Sequence, residues 1–368
     1  MKKQSQKMIR TDILIIGGGP AGSTLARYLA EAGKETILVQ RNFNFRKPCG
    51  GGIRLDAFDE FDIDRELIRK EVNSIALVFG TKRVEVDISQ MPLGIVDRVE
   101  FDTYLRNRAE DTGATLLEAS FVDVEVCDGY IIVTIEQDGV YKKIHAGYLV
   151  GADGVNSKVR KCINGDRVPS AMTRYADLAH TAYKTCEFHF GSKVAGSYYA
   201  WAFPHTNGSN IGTLAGDDET HIQHFMKQLD VKEKVKLLGY RIPQFENPVF
   251  YKDRVFFVGD SASQVLPFTY EGIYYAMASA HLLSAVLTEQ ADPSEYEKRW
   301  NDTYLQKFTT LQRLQKLFLK NDLTIAMMMH LYRNKAVQQR MVDFWLGHRE
   351  VKLNRTFFYK VMKKLLTI

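Results

Sequence analysis

The chain has 368 residues, more than one hydrophobic core usually serves, so two substructures are expected. Hydrophobic residues make up 45% and charged residues 25%, with only 26 Gly and 9 Pro, which excludes disordered, collagen-like and coiled-coil classes. The net charge of +5 hides an asymmetry, because residues 305–368 hold 13 Lys/Arg against 3 Asp/Glu and leave the rest of the chain net acidic. Cys49, Cys127, Cys162 and Cys186 form no C-x-x-C pair, so no metal cluster or disulfide framework is expected, and a reducing compartment fits.

The start of the chain imitates a secretion signal, yet its apolar run Ile13–Ile16 leads straight into a glycine loop that cleavage would destroy. A cytoplasmic location is therefore expected. Asp12–Ile16 reads as a buried strand, Gly17–Gly22 as a turn, and Ser23–Ala32 as a helix. G-x-G-x-x-G at Gly17, Gly19 and Gly22, enclosing Pro20 and Ala21, suits a pyrophosphate held by N–H groups at a helix start, hence a dinucleotide. The second strand ends at Gln40, where an acid usually meets the ribose; Gln40 can donate and accept there without charge. Its neighbour Arg41 leaves open a 2′-phosphorylated nicotinamide cofactor.

Further along, Lys47–Ile53 contains Cys49 followed by Gly50, Gly51 and Gly52, a backbone able to pass close to a planar ring. Arg98 opens a helix leading to Leu105 and Ala109, and an ion pair with Glu100 or Asp102 is the plain alternative to a ligand contact. Tyr148–Arg160 is a second strand ending in an Asp153-Gly154 turn, with Asn156 or Ser157 placed to cap the following helix. Arg254–Asp260 repeats the pattern with Gly259 and Asp260, followed by Pro267, Glu271 and Gly272. The segment from Ile273, including Tyr274–Leu287, is apolar on nearly all sides but too short and mixed to span a membrane, so it reads as a buried helix.

Three strand-turn units spaced about 110 to 140 residues apart resemble the p-hydroxybenzoate hydroxylase group of FAD enzymes. That resemblance gives Asp260 a contact with the FAD ribityl or pyrophosphate region, makes Asp153 the holder of the second turn, and assigns FAD contacts to Arg98 and to the backbone of Val122. It places Gly272 and Ile273 at the flavin pyrimidine, where a helix N-terminus favours negative charge. Ser263 departs from the group, which has glycine there. Lys47–Ile53 resembles the Cys-Gly-Gly segment of geranylgeranyl reductases, which lies beside the isoalloxazine. Tyr199-Ala-Trp-Ala-Phe-Pro204 matches their Tyr-x-Trp-x-Phe-Pro box, lining the substrate cavity, more closely than the Trp-x-Trp-x-Ile-Pro of flavin halogenases.

On physical grounds Tyr199, Trp201 and Phe203 alternate along a strand and form an aromatic wall, suited to an apolar substrate or a flavin; the plain alternative is a sheet packing on its own core. Cys49 could donate a proton or merely fill space. The expected fold is α/β (α+β): a Rossmann-like FAD-binding domain from 1–70, 97–165 and 250–300, an inserted antiparallel β-sheet substrate domain from 71–96 and 166–249, and a C-terminal basic helical region, 301–368. In that last region Leu305, Phe308, Leu311, Leu314, Leu317 and Phe318 recur at helical spacing, Met327–Met329 follow, and Phe357–Leu366 mixes lysines with aromatics. Such helices could rest on an anionic membrane surface or cap the substrate domain with a solvated face. No nucleic-acid motif accompanies the basic excess.

The resemblance implies an FAD-dependent reductase of isoprenoid carbon–carbon double bonds, with hydride from reduced flavin N5 and a proton from Cys49, Tyr199 or water. Tyr199, Trp201, Phe203 and Pro204 would hold the substrate; NAD(P)H or a ferredoxin-like reductant would supply electrons. The protein would be cytoplasmic, peripheral on the inner face of the membrane. The alternatives are an FAD-dependent aromatic monooxygenase and a non-catalytic prenyl-lipid carrier.

Overall fold

The computed structural model describes residues 8–179, 183–205, 208–214 and 219–347. The chain divides into two compact units. One holds the segments up to Lys47, Arg98–Ser170 and Arg241–Phe308; the other holds Pro48–Asp97, Ala171–Tyr240 and the chain from Thr309 onward. The first seam thus falls at Lys47 rather than near residue 70, because Gly52–Arg54 is drawn into a small sheet with Leu93–Val96 and Ile68–Val72.

The first unit is built on the strand Ile9–Ile16, which pairs in parallel with Thr36–Gln40 on one side and Val140–Gly151 on the other. Thr115–Glu118 and Val255–Phe257 extend the parallel run at either flank. Leu14, Ile15, Leu38, Leu149 and Val150 are all buried, as unbroken apolar strands covered on both faces must be. Val140–Gly151 is long enough to serve a second purpose, pairing antiparallel with Ile131–Gln137, which in turn pairs with Ser120–Val126. Helix Pro20–Glu31 starts with proline at its first turn, where a missing N–H costs nothing, and packs on helix Ile273–Glu289. The latter buries Tyr274, Tyr275, Met277, Ala280 and Leu283 around its circumference. Phe245, Phe250, Tyr275, Trp300 and Phe308 close the unit with ring-to-ring contacts.

In the second unit a seven-stranded sheet runs in the order Leu238–Pro243, Ser170–Leu178, Gly208–Thr213, Ala200–His205, Cys186–Phe190, Ser74–Phe79, Lys82–Asp87. One pair departs from the expected antiparallel pattern: Cys186–Phe190 and Ser74–Phe79 run parallel, because they come from separate excursions of the chain and not from a hairpin. Ala176, Leu178, Ala200, Ala202 and Ile211 pack with Ile222 and Phe225 of helix Thr220–Gln228, leaving the alternate residues for the opposite face.

The C-terminal helices are Ser294–Trp300, Gln306–Phe318, Asp322–Leu331 and Lys335–Leu346, the first two joined by a π-turn at Asn301–Leu305. Phe308, Leu311 and Leu314 are buried, whereas Leu317 is 52% exposed. Repeated steps of three fall short of a full turn, so Leu317 has drifted about 180° from Phe308. Met328 and Met329 are core residues. The basic stretch Phe357–Leu366 lies outside the described residues. Among the described residues no helix is long and apolar enough to cross a membrane.

Candidate functional site

The three glycine-and-acid turns come together in the first unit. Gly17 has φ 112°, and a Cβ on it would run into the carbonyl of Ala152 and approach the amide of Asp153, so the first turn touches the second through bare backbone. A Cβ on Gly22 would strike the Gly17 carbonyl in the same way. A Cβ on Gly259 would lie 3.2 Å from the side chains of both Ala21 and Ala276, and one on Gly272 would lie 3.5 Å from Asp260 Oδ1. Gly19 differs: nothing lies within 4 Å of where its Cβ would be, at the start of helix Pro20–Glu31. That open space, with helix N–H groups beside it, is what a diphosphate requires. The hydroxyls of Ser23 and Thr24 in the same helix turn are buried without a hydrogen-bond partner among the described residues. These residues fit FAD.

At the end of Thr36–Gln40, Gln40 Oε1 accepts from the Gly18 amide at 2.8 Å and Gln40 Nε2 donates to Asn42 O at 3.0 Å. Gln40 therefore holds the glycine loop to the second strand while keeping one lone pair and one N–H for a ribose. Arg41 beside it is exposed. Arg106, which the sequence alone did not single out, donates to Gly18 O and to Phe43 O, stapling the loop from below. Burial lowers its guanidinium from the usual arginine range, opposed by the nearby Asp102. Arg98 opens its helix and is held by Asp102 through two bonds of 3.0 and 2.8 Å, the pair buried. Val122 lies in the outer strand Ser120–Val126, 38% exposed.

Asp153 takes three donors: the Ser157 hydroxyl on Oδ1, and the amides of Lys158 and Val159 on Oδ2. Burial pushes its carboxyl up from the ordinary aspartate value, against the pull of those bonds. Ser157, not Asn156, caps the helix by accepting from the Arg160 amide. Arg160 was also overlooked, although it closes the second motif. Fully buried, it grips Asp166 with two bonds and donates to Ser261 O, Ser263 Oγ and Asn247 O, welding the second turn to the third. The Ser261 hydroxyl adds a bond to Gly151 O. Asp260 pairs with Lys47, and Pro267 and Ile273 are buried on either side of the loop that starts the long helix.

The second unit holds the aromatic wall. Phe188, directly opposite Trp201 across the strand pair, contacts the rings of Tyr199 and Phe203 at 5.1 Å each, and Tyr199 meets Trp201 at 6.4 Å. Trp201 donates to Asn210 at 2.6 Å, and a Cβ on Gly212 would collide with its ring. Phe188 is not marked by the sequence because the register of Cys186–Phe190 against the neighbouring strand Ala200–His205 is not written in either strand. Trp345 also meets Phe188 edge to face. Pro204 closes the box opposite Ser209. A Cβ on Gly50 would come 2.6 Å from Phe203, and Gly51, at φ 71°, abuts the Val96 carbonyl, so the run after Cys49 is pressed onto the wall. Cys49 Sγ accepts from the Gly51 amide at 3.4 Å.

A Rossmann-type unit with a three-turn dinucleotide cradle, and a second unit with an aromatic-walled sheet, define an FAD-dependent oxidoreductase. The FAD binding domain family matches residues 10–237. The chain is 30% identical to the chloroplastic geranylgeranyl diphosphate reductase of Arabidopsis thaliana, covering 94% of this chain and 82% of that protein. It is 24% identical to the digeranylgeranylglycerophospholipid reductase of Methanocaldococcus jannaschii, over 84% of this chain and 87% of that one. In fold it matches the crystal structure of a geranylgeranyl bacteriochlorophyll reductase-like protein from Thermoplasma acidophilum, with TM-score 0.80, 20% identity and coverage of 98% and 99%. The chain belongs to the geranylgeranyl reductase family of FAD-dependent oxidoreductases.

Proposed function

We propose that this enzyme saturates carbon–carbon double bonds in the isoprenoid chain of a prenyl lipid. The observation that carries the reading is the wall of Phe188, Tyr199, Trp201 and Phe203, with the glycine run after Cys49 packed on Phe203. An isoprenoid tail offers only apolar surface and π bonds, so it has to be held by rings and aliphatic contacts. Bound and reduced, FAD supplies the hydride at N5.

The chain's own residues have the remaining tasks. Gly17, Gly19 and Gly22 and the start of the first helix take the diphosphate, and Gln40 meets the ribose. Gly272 and Ile273 stand at the N-terminus of a buried 17-residue helix, whose positive end would favour negative charge on the flavin pyrimidine. Cys49 and Tyr199 are the candidate proton sources for the second alkene carbon. An unpolarised alkene reacts only when well aligned, which is the work of the wall rings.

NAD(P)H or a ferredoxin-like reductant supplies the electrons. The enzyme takes its substrate at an anionic membrane surface on the cytoplasmic side, resting on its basic C-terminal helices; Leu317 and Leu323, 52% and 71% exposed close to Lys316 and Lys320 in sequence, support this. The test is anaerobic incubation of photoreduced enzyme with geranylgeranyl diphosphate and with a geranylgeranyl phospholipid, followed by mass spectrometry. A gain of H2 per reduced bond is expected. Flavin that stays reduced with every prenyl substrate, together with phenol-stimulated oxygen uptake, would instead indicate a monooxygenase.

A further inference from the structure

Asp260 stands at the third turn with its side chain 10% exposed, and Lys47 pairs with its Oδ2. Its Oδ1 is on the side of Gly272, at the start of helix Ile273–Glu289, while the preceding Gly259 abuts Ala21 in the first turn of helix Pro20–Glu31. An aspartate here is useful as an acceptor for cofactor hydroxyls. It is also a liability, because a nearly buried carboxylate repels the diphosphate that the Gly19 turn is shaped to take. Lys47 is placed to remove the liability: it comes from the segment that follows Gln40, and occupies one carboxylate oxygen of Asp260 while the other lies on the side of Gly272.

We propose that Lys47 is a cofactor-positioning residue, whose ammonium neutralises Asp260 so that the third turn accepts hydrogen bonds from FAD without repelling its diphosphate. This rests on the FAD reading of the three turns.

The test is titration of FAD into apoprotein, read by quenching of flavin fluorescence, for wild type, Lys47→Met, Lys47→Arg, Asp260→Asn and the double variant Lys47→Met/Asp260→Asn. Lys47→Met is expected to weaken FAD binding about tenfold or more, because it leaves a buried charge uncompensated. Lys47→Arg is expected to stay within about threefold of wild type, and adding Asp260→Asn to Lys47→Met to recover most of the loss, the coupling a double-mutant cycle isolates. Unchanged affinity in Lys47→Met overturns the proposal, as does a double variant as weak as Lys47→Met. A wild-type apoprotein that takes up no FAD overturns the cofactor reading itself, and the Lys47 proposal with it.

Discussion

The guanidinium of Arg160 donates to the Ser263 hydroxyl at 3.1 Å, while the Ser263 backbone sits in the left-handed region at φ 64°. The two facts belong together. A left-handed serine costs roughly 1 kcal/mol that glycine would not, and a hydrogen bond from a charged donor returns about 1.5 kcal/mol or more. Serine is thus tolerated in this left-handed position because the buried Arg160 finds an acceptor there.

Ser263→Gly should therefore be close to neutral, within about 1 kcal/mol, relief of strain offsetting the lost bond. Ser263→Ala keeps the strain and strands the donor, so it should be destabilised by about 2 kcal/mol. Urea unfolding orders the two; an alanine variant as stable as the glycine one would refute the account.

Arg160→Met should cost about 3 kcal/mol or more, since it removes a fully buried charge that five acceptors depend on. The same hub predicts a pH effect. Arg160 holds the Asp166 carboxyl below the ordinary aspartate range, with help from Asn164 and against burial. The folded value is the depressed one, so the stabilisation is present above the ordinary range and lost as pH falls through the folded value. With Asp166 42% exposed, the pair contributes less than about 1 kcal/mol. The stability gap between wild type and Asp166→Asn should narrow only as pH falls below about 5 and on through the depressed folded value; a gap constant from about pH 5 to about pH 2 would contradict the assignment.

Gly19→Ala and Gly22→Ala should fail differently. The first meets no protein atom within 4 Å, so it should fold with an unchanged melting midpoint yet bind FAD at least about tenfold more weakly, its methyl occupying ligand space. The second strikes the Gly17 carbonyl and should lose stability as well. Gly19→Ala with wild-type FAD affinity would mean the diphosphate lies elsewhere.

Gly50→Ala forces Phe203 to move, since the new methyl would sit 2.6 Å from its ring. The expected result is a KM for prenyl substrate raised about tenfold, corresponding to about 1.4 kcal/mol of lost substrate contact. An unaltered KM would separate Phe203 from the substrate.

The three turns were legible because each is local: strand, glycine, acid and helix follow within a dozen or so residues, and backbone sterics demand those residue types. The aromatic wall was legible through its alternation along a single strand. Trp345 was not, because it reaches the wall from a helix more than 140 residues further on; Phe188 was not, because its place opposite Trp201 depends on the register between two neighbouring strands, which alternation within one strand does not report. Arg106 and Arg160 look like ordinary helix-surface cations in sequence; only the carbonyls that other segments bring to them make them structural. The parallel strand pair was hidden for the same reason, since alternation reports a face but not a direction.

That parallel pair has a consequence for how the molecule comes to exist. Cys186 is set against Ile75 and Phe190 against Phe79, so one edge of the sheet waits for more than a hundred intervening residues to emerge before it finds its neighbour. Until Cys186–Phe190 arrives, Ser74–Phe79 offers Ile75, Leu77 and Val78 on a strand whose other edge lacks its partner, an invitation to aggregate. Production yield of this enzyme should therefore be governed by how well the nascent hairpin Ser74–Asp87 is shielded during synthesis, and shortened forms ending before Phe190 are poor candidates for soluble fragments.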